Sequence, residues 1–306
     1  MPTLTHRPYR DTTDRDRLRA FLTEASLLAG PLAGYYHAGD LIWKLSQHPE
    51  TDPEGTLQLW EDETGQLIGV VLLDPPDLVD LQLHPHLLDL APVVAEMATW
   101  ADGALHHQAI EKGAMPPAAI QFDVATADGA LATALRDAGC RDTGEDAFVL
   151  LARELLDLSD LPARTALVRD MADPSDPDLD RRVALHREVW HPSRHTAAGY
   201  RHMRTQPVYR PDLDLVAVAP DGDFAAYCIA WLDPETRVGH FEPVGTSPRH
   251  RRQGHAAAAM TEALRRLHAL GATRATVGTF TDNAAALALY RSLGFAEAVR
   301  YRIWER

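Results

Sequence analysis

The stretch Val244-Gly245-Thr246-Ser247-Pro248-Arg249-His250-Arg251-Arg252-Gln253-Gly254-His255-Ala256 holds the residues best suited to chemistry. An apolar run ends there, a short basic loop follows, and a glycine with small residues opens what reads as a helix. Backbone N–H groups at a helix start lack internal partners and together carry about half a positive charge, so such an end can receive a pyrophosphate. Gly254 lets an anion approach the main chain, and Ala256 keeps the first turn clear. Arg251 and Arg252 would add charge-assisted contacts. A single glycine motif is a weak signal, and a glycine that only caps a turn is the bland alternative.

The elements around this loop follow from periodicity. In the second half, helical spacing covers 178–189 and strands cover 213–218, 224–231 and 240–244. A helix from about Arg252 to Leu270 stops at Gly271, a strand covers 273–279, and a helix from Asn283 to Leu293 stops at Gly294. The first half has the same order: a helix over 14–28, strands over 56–60, 67–73 and 78–83, and a long helix over 87–107. A strand over 119–124, a helix over 129–138 and a strand over 148–151 complete it. Leu73-Asp74-Pro75 echoes Leu232-Asp233-Pro234, and Asp137-Ala138-Gly139-Cys140 sits where Ser292-Leu293-Gly294-Phe295 sits later. The pattern predicts two copies of one α/β unit, 1–156 and 157–306, joined where Ser159, Asp160 and Pro162 break the apolar pattern.

Arg251, Gly254 and Ala256 fit Arg/Gln-x-x-Gly-x-Gly/Ala, and Asn283, Ala286, Tyr290, Gly294 and Phe295 resemble an Asn-x-x-Ala-x-x-x-Tyr-x-x-x-Gly-Phe element. On these residues the second half resembles the GCN5-related N-acetyltransferase (GNAT) superfamily, most strongly over 241–295. The resemblance implies an α/β (α+β) fold of two tandem GNAT-like domains, each a mixed, mostly antiparallel sheet flanked by helices. It also implies acetyl-CoA as cosubstrate, bound by Val244, Thr246, Arg251, Arg252, Gln253, Gly254, His255, Ala256 and Asn283. Asn283 has a bland role as well, the cap of the last helix.

Acetyl transfer to an amine needs a polarised thioester carbonyl, a neutral nucleophile and a proton for the leaving thiolate. The resemblance places backbone groups of Val244 to Thr246 at the thioester, where Gly245 is consistent with a bulge. It also places Tyr290 beside the sulfur as the acid; the alternative is a buried tyrosine packing against Leu287. Glu242, on the strand leading into the loop, could draw a proton from an ammonium, or could be a solvent-facing or salt-bridged glutamate. His240, on the same strand face, is the reserve base.

The first half departs from this pattern. Leu81-Gln82-Leu83-His84-Pro85-His86-Leu87-Leu88-Asp89-Leu90 has no helix-opening glycine and no arginine, and Asp89 would repel a phosphate. The tyrosine is missing too, since Arg136 and Asp137 precede Gly139. This predicts a degenerate copy that supports substrate binding. The stretch from Tyr35 to Trp43, or Trp190, His191, His195 and Tyr200, could line an acceptor pocket or simply pack their domains.

The chain has 306 residues, with 44 acidic against 30 basic ones and a formal charge of -14, so it repels nucleic acid and favours a cationic acceptor. The expected acceptor is a small-molecule or peptide amine, and the expected state a monomer or homodimer. Cys140 and Cys228 read as reduced core residues, and no metal site is expected. No apolar run is long enough for a signal peptide or a membrane span, which points to the cytoplasm. Two rival functions stay open: a non-catalytic acyl-CoA sensor, and a transferase of another acyl group.

Overall fold

The computed structural model describes residues 4–46, 55–163, 166–172, 176–193 and 195–306. They form two compact units, and each draws on both halves of the sequence. The first comprises 1–36, 52–149 and 299–306, the second 37–51 and 150–298. Sequence periodicity suggested a single cut at 156/157; the units instead differ from that cut by short segments on either side of it. The reason is packing. Ile42 and Trp43 are buried in the second unit's core, while Trp304 is buried in the first unit's.

In the first unit, β1 (Thr5–Pro8), β2 (Leu57–Glu61), β3 (Leu67–Asp74) and β4 (Leu78–Leu83) form an antiparallel meander. β5 (Gln121–Ala125) pairs parallel with β4, and the end of β12 (Ala296–Glu305) pairs antiparallel with β5. The start of β6 (Arg141–Glu154) lies beyond β12. Helix α1 (Thr12–Ala29) starts where the Asp11 carboxylate accepts from the Thr13 and Asp14 N–H groups, and it buries Leu18, Phe21, Leu22 and Ala25. Helix α3 (Ala91–Glu111) covers the sheet through Val93, Val94, Met97, Ala98, Ala101 and Leu105, with α4 (Gly129–Asp137) beside it.

The second unit repeats the plan. Its sheet runs from the end of β6 through β11 (Arg274–Phe280), β10 (Val238–Thr246), β9 (Phe224–Asp233) and β8 (Asp214–Val218) to β7 (Leu167–Asp170). β10 and β11 pair parallel, while β10 with β9, β9 with β8 and β8 with β7 pair antiparallel. β9 is buried along nearly its whole length, which requires cover on both faces. Helix α7 (His255–Ala269) packs against it, and so do α2 (Ala38–Ser46) and α5 (Asp176–Val189). α6 (Ala197–Arg204) packs on α2 and α5, and α8 (Ala284–Ser292) on β11.

A buried ionic knot fixes α5 and α6 to the sheet. Arg182 and Asp214, 1% and 0% exposed at their side chains, pair at 3.3 Å. Tyr200 and Tyr209 donate to the same carboxylate at 2.6 and 3.0 Å. Removing one partner would strand the other charge in an apolar core, at a cost of about 3–5 kcal/mol. Both cysteines are free and buried, as expected. Among the described residues no helix is long and apolar enough to cross a membrane.

Candidate active site

The site begins where two strands part. β10 pairs with β11 only from Val238 to Phe241, opposite Arg274 to Val277, and then runs on to Thr246 paired with β9 alone. The edge of Val244 to Thr246 turned away from β9 therefore keeps its peptide groups for another partner. A bulge against β9 falls between Phe241 and Val244, at Glu242-Pro243. The sequence had suggested Gly245 for that bulge. Gly245 serves close packing instead, since a Cβ there would lie 2.7 Å from a Tyr227 ring carbon and 2.9 Å from a Val189 methyl. Proline brings no N–H to the bulge, and the Glu242 carbonyl accepts from the Trp231 indole at 2.6 Å. Burial still alternates, so Glu242, Val244 and Thr246 share the partly exposed face of β10.

At the end of β10 the chain turns through Pro248–His250 and reaches α7. Ser247 is buried, donates its N–H to the Ala225 carbonyl at 2.9 Å, and accepts from the Arg249 N–H at 3.3 Å. The loop then needs two left-handed residues, Arg252 at φ 63° and Gly254 at φ 83°. Gly254 is the N-cap of α7, and no side chain caps the helix there. Arg251 to Gly254 are all exposed. Arg249 pairs with Glu188 and Asp223 at 3.3 and 3.0 Å, whereas among the described residues neither Arg251 nor Arg252 has an ion-pair partner. Two unpaired guanidiniums beside an open helix start, in a strongly acidic chain, fit a polyanion such as a pyrophosphate. Gln253 donates weakly to the Arg249 carbonyl at 3.4 Å. His255 and Ala256 are buried, which leaves their main-chain N–H groups as what they can offer a ligand. Asn283 is exposed and caps α8, accepting from the Ala286 N–H at 3.2 Å.

The reactive side chains gather on β10, α8 and α2. Desolvation, reinforced by the nearby Asp40 carboxylate, pushes the Glu242 carboxyl up to about 8, although Lys44 and a hydrogen bond from Trp43 pull it back. Such a group is matched to accepting a proton from an amine near neutrality. Burial raises Tyr290, and the neighbouring Glu242 adds to that, so its phenol carries its proton throughout the neutral range and is present as the acid form. His240 is held down to about 4 by burial alone. Its Nδ1 lies 2.9 Å from Thr276 Oγ1, which in turn donates to the Gly239 carbonyl at 3.3 Å. The hydroxyl hydrogen is thereby committed, so Nδ1 carries the ring proton and His240 is a weak base.

Sequence reasoning gave the stretch from Tyr35 to Trp43 as a possible acceptor lining, without recognising its helix or assigning any of its residues a part in the chemistry. His37 opens the segment and fixes it: its Nδ1 accepts from the Gly39 N–H at 3.0 Å, and its Nε2 lies 3.1 Å from the Val238 carbonyl. A carbonyl can only accept, so the neutral tautomer with hydrogen on Nε2 is assigned, in line with a burial-driven fall to about 4. Gly39 sits so close to Trp231 that a Cβ would come within 2.2 Å of that side chain. The missed signal was the spacing His37, Asp40, Lys44, one face of a helix at i, i+3 and i+7. His195 and Tyr200 lie with His186, Tyr227 and Trp43 in a buried aromatic cluster of the same unit, and the exposed Trp190 edges it, its indole donating to Tyr227 at 2.7 Å.

The first unit has a similar parting, since β4 and β5 pair only at Leu78–Gln121 and Val79–Phe122. Its own chain occupies that opening. Tyr35 donates to the Leu83 carbonyl at 2.7 Å, and the Tyr36 N–H donates to Gln82 at 3.1 Å. At α3 no side chain caps the start, and a proline in the first two helical positions removes an N–H an anion would need. The degenerate reading of this copy rests on those groups.

A mixed sheet whose central parallel pair splays beside an uncapped, arginine-flanked helix start is suited to a long ligand with a pyrophosphate end. Residues 180–295 match the profile of the Acetyltransferase (GNAT) family. That segment is a domain of the GNAT acetyltransferase type, and the whole chain has the fold of tandem GNAT proteins. A GCN5-related N-acetyltransferase from Sphaerobacter thermophilus is similar over 99% of this chain and 95% of its own, at 17% identity and a TM-score of 0.63. A tandem GNAT protein from the clavulanic acid biosynthesis pathway is similar over 99% and 98%, at 16% identity and a TM-score of 0.64. Saccharomyces cerevisiae N-myristoyltransferase, solved with myristoyl-CoA, is similar over 100% of this chain and 78% of its own, at 12% identity and a TM-score of 0.56. No curated protein matches the sequence significantly.

Proposed function

We propose that the second unit transfers acetyl from acetyl-CoA directly to an amine held beside Glu242, in a ternary complex. The carrying observation is the parting of β10 from β11 next to the uncapped start of α7. The loop from Arg251 to Ala256 grips the pyrophosphate, the free edge of Val244 to Thr246 holds the pantetheine and polarises the thioester carbonyl, and Asn283 meets the arm from the far side. Glu242 takes one proton from the acceptor ammonium. The freed amine forms the N–C bond as the C–S bond breaks, and Tyr290 protonates the thiolate. The nitrogen's second proton restores the tyrosine, and Glu242 returns its own to solvent.

Calorimetry with acetyl-CoA, followed by thiol release across a panel of amines, tests this reading. Gly254→Glu places a negative side chain at a left-handed position facing the phosphates and is expected to lower acetyl-CoA affinity at least about tenfold. Arg251→Ala combined with Arg252→Ala should do the same without backbone strain. Unchanged affinity in both variants would remove the cradle. Tight binding with no amine-dependent thiol release would leave an acyl-CoA sensor.

A further inference from the structure

We propose that Asp40 is the acceptor-side carboxylate of this site: with Glu242 it receives a protonated aliphatic amine and holds that ammonium beside the group that takes its proton. The identity of the cation rests on the transferase reading above; the pairing of the two carboxylates does not.

The placement is geometric. His37, at the start of the segment, stacks on His240 with ring centroids 5.4 Å apart. Trp43, near the end of α2, hydrogen-bonds the Glu242 carboxylate. Asp40 lies one helical turn after His37 and one before Lys44, so it stands on the same side of α2, over the stretch of β10 from His240 to Glu242. The groups around that point are His37 and Lys44 on α2, His240 on β10, Asp233 and Cys228 on β9, and Tyr290 on α8. His186 and His195 lie behind Trp43.

Most of these groups are neutral or already committed. His37 uses both ring nitrogens, and His240 is uncharged. Burial lifts Asp40 as well as Glu242, and a single lysine, Lys44, serves both. Burial keeps a proton on the empty pair, and an incoming positive charge beside the two carboxyls displaces it by favouring their ionised forms. An aliphatic amine supplies that charge; an aromatic amine, a hydroxyl or a thiol does not. The rival explanation makes Asp40 only a first-turn acid on α2 and an i,i+4 partner of Lys44.

Asp40→Asn separates the two. The probes are 1,4-diaminobutane, phenethylamine and spermidine as protonated acceptors, and 4-methoxyaniline as one uncharged at neutral pH. For the protonated acceptors, KM is expected to rise about tenfold or more with kcat held within about threefold, with little change for the aniline. Asp40→Glu should restore most of the loss. The ionisation of Glu242 is read separately, as the pH at which the melting temperatures of wild type and Glu242→Gln diverge. In the Asp40→Asn background that midpoint should fall by at least about half a pH unit. A purely structural Asp40 would lower the melting temperature and move neither KM nor the midpoint, and that result overturns the proposal. If the wild type turns over none of the amines, the transferase reading fails and the midpoint alone decides; an unmoved midpoint then overturns the carboxylate pair.

Discussion

Glu242 is the residue in which structure and chemistry pull hardest against each other. Trp43 hydrogen-bonds its carboxylate and Trp231 its main-chain carbonyl, and desolvation with the nearby Asp40 pushes the carboxyl up to about 8, where its ordinary value is 4.5. The folded chain therefore holds a proton that the unfolded chain has lost between those two values. Stability contributed by this residue is full below about pH 4.5, falls as pH rises, and is gone above about 8. Glu242→Gln removes the titration. Its melting temperature should match the wild type near pH 4 and exceed it by several degrees near pH 9, as scanning calorimetry would show. A difference that is constant with pH would mean the carboxylate is ordinarily solvated in the folded state. The same feature limits catalysis on the acid side, where a protonated Glu242 takes no proton from an ammonium.

At the scale of elements, the parts set by local chemistry were legible from sequence. The stretch from Arg251 to Ala256, the Gly271 stop and the Asn283 cap carry their own signals, because helix starts and stops depend on residues within a few positions. β4 was read to the residue for the same reason. Elements held by distant partners were not. α2 begins with His37-Ala38-Gly39, a poor helix signal, and exists because Gly39 lets it lie on Trp231 while Ile42 and Trp43 fill a core. β12 and the long form of β6 likewise depend on strand neighbours far away in sequence. Gly39→Ala tests this account of α2. The added methyl must push the helix off Trp231, so kcat/KM for the amine should fall at least about tenfold while acetyl-CoA affinity stays within about threefold. If turnover is unchanged, α2 does not form the acceptor wall.

For the whole molecule, the exchange of segments makes a specific claim about what folds. A fragment ending at residue 156 lacks the end of β12 and with it Trp304, which is 3% exposed in the first core. A fragment starting at 157 lacks α2, whose Ile42 and Trp43 sit in the second core at 1% and 3% exposure. It also lacks the end of β6, where Leu151 is fully buried and Arg153 donates to the Leu293 carbonyl at the foot of α8. Loss of two large core side chains costs about 3–5 kcal/mol each, comparable to the entire stability of a typical domain. Expressed separately, 1–156 and 157–306 should each fail to show a cooperative thermal transition, and 157–306 should not bind acetyl-CoA measurably. Co-expressed, the two fragments should purify together, because each carries a strand the other needs, and the pair should regain acetyl-CoA binding by calorimetry. If 157–306 alone melts cooperatively and binds acetyl-CoA with the affinity of the full chain, then α2 and the end of β6 are accessories of the second unit and the catalytic copy is self-sufficient.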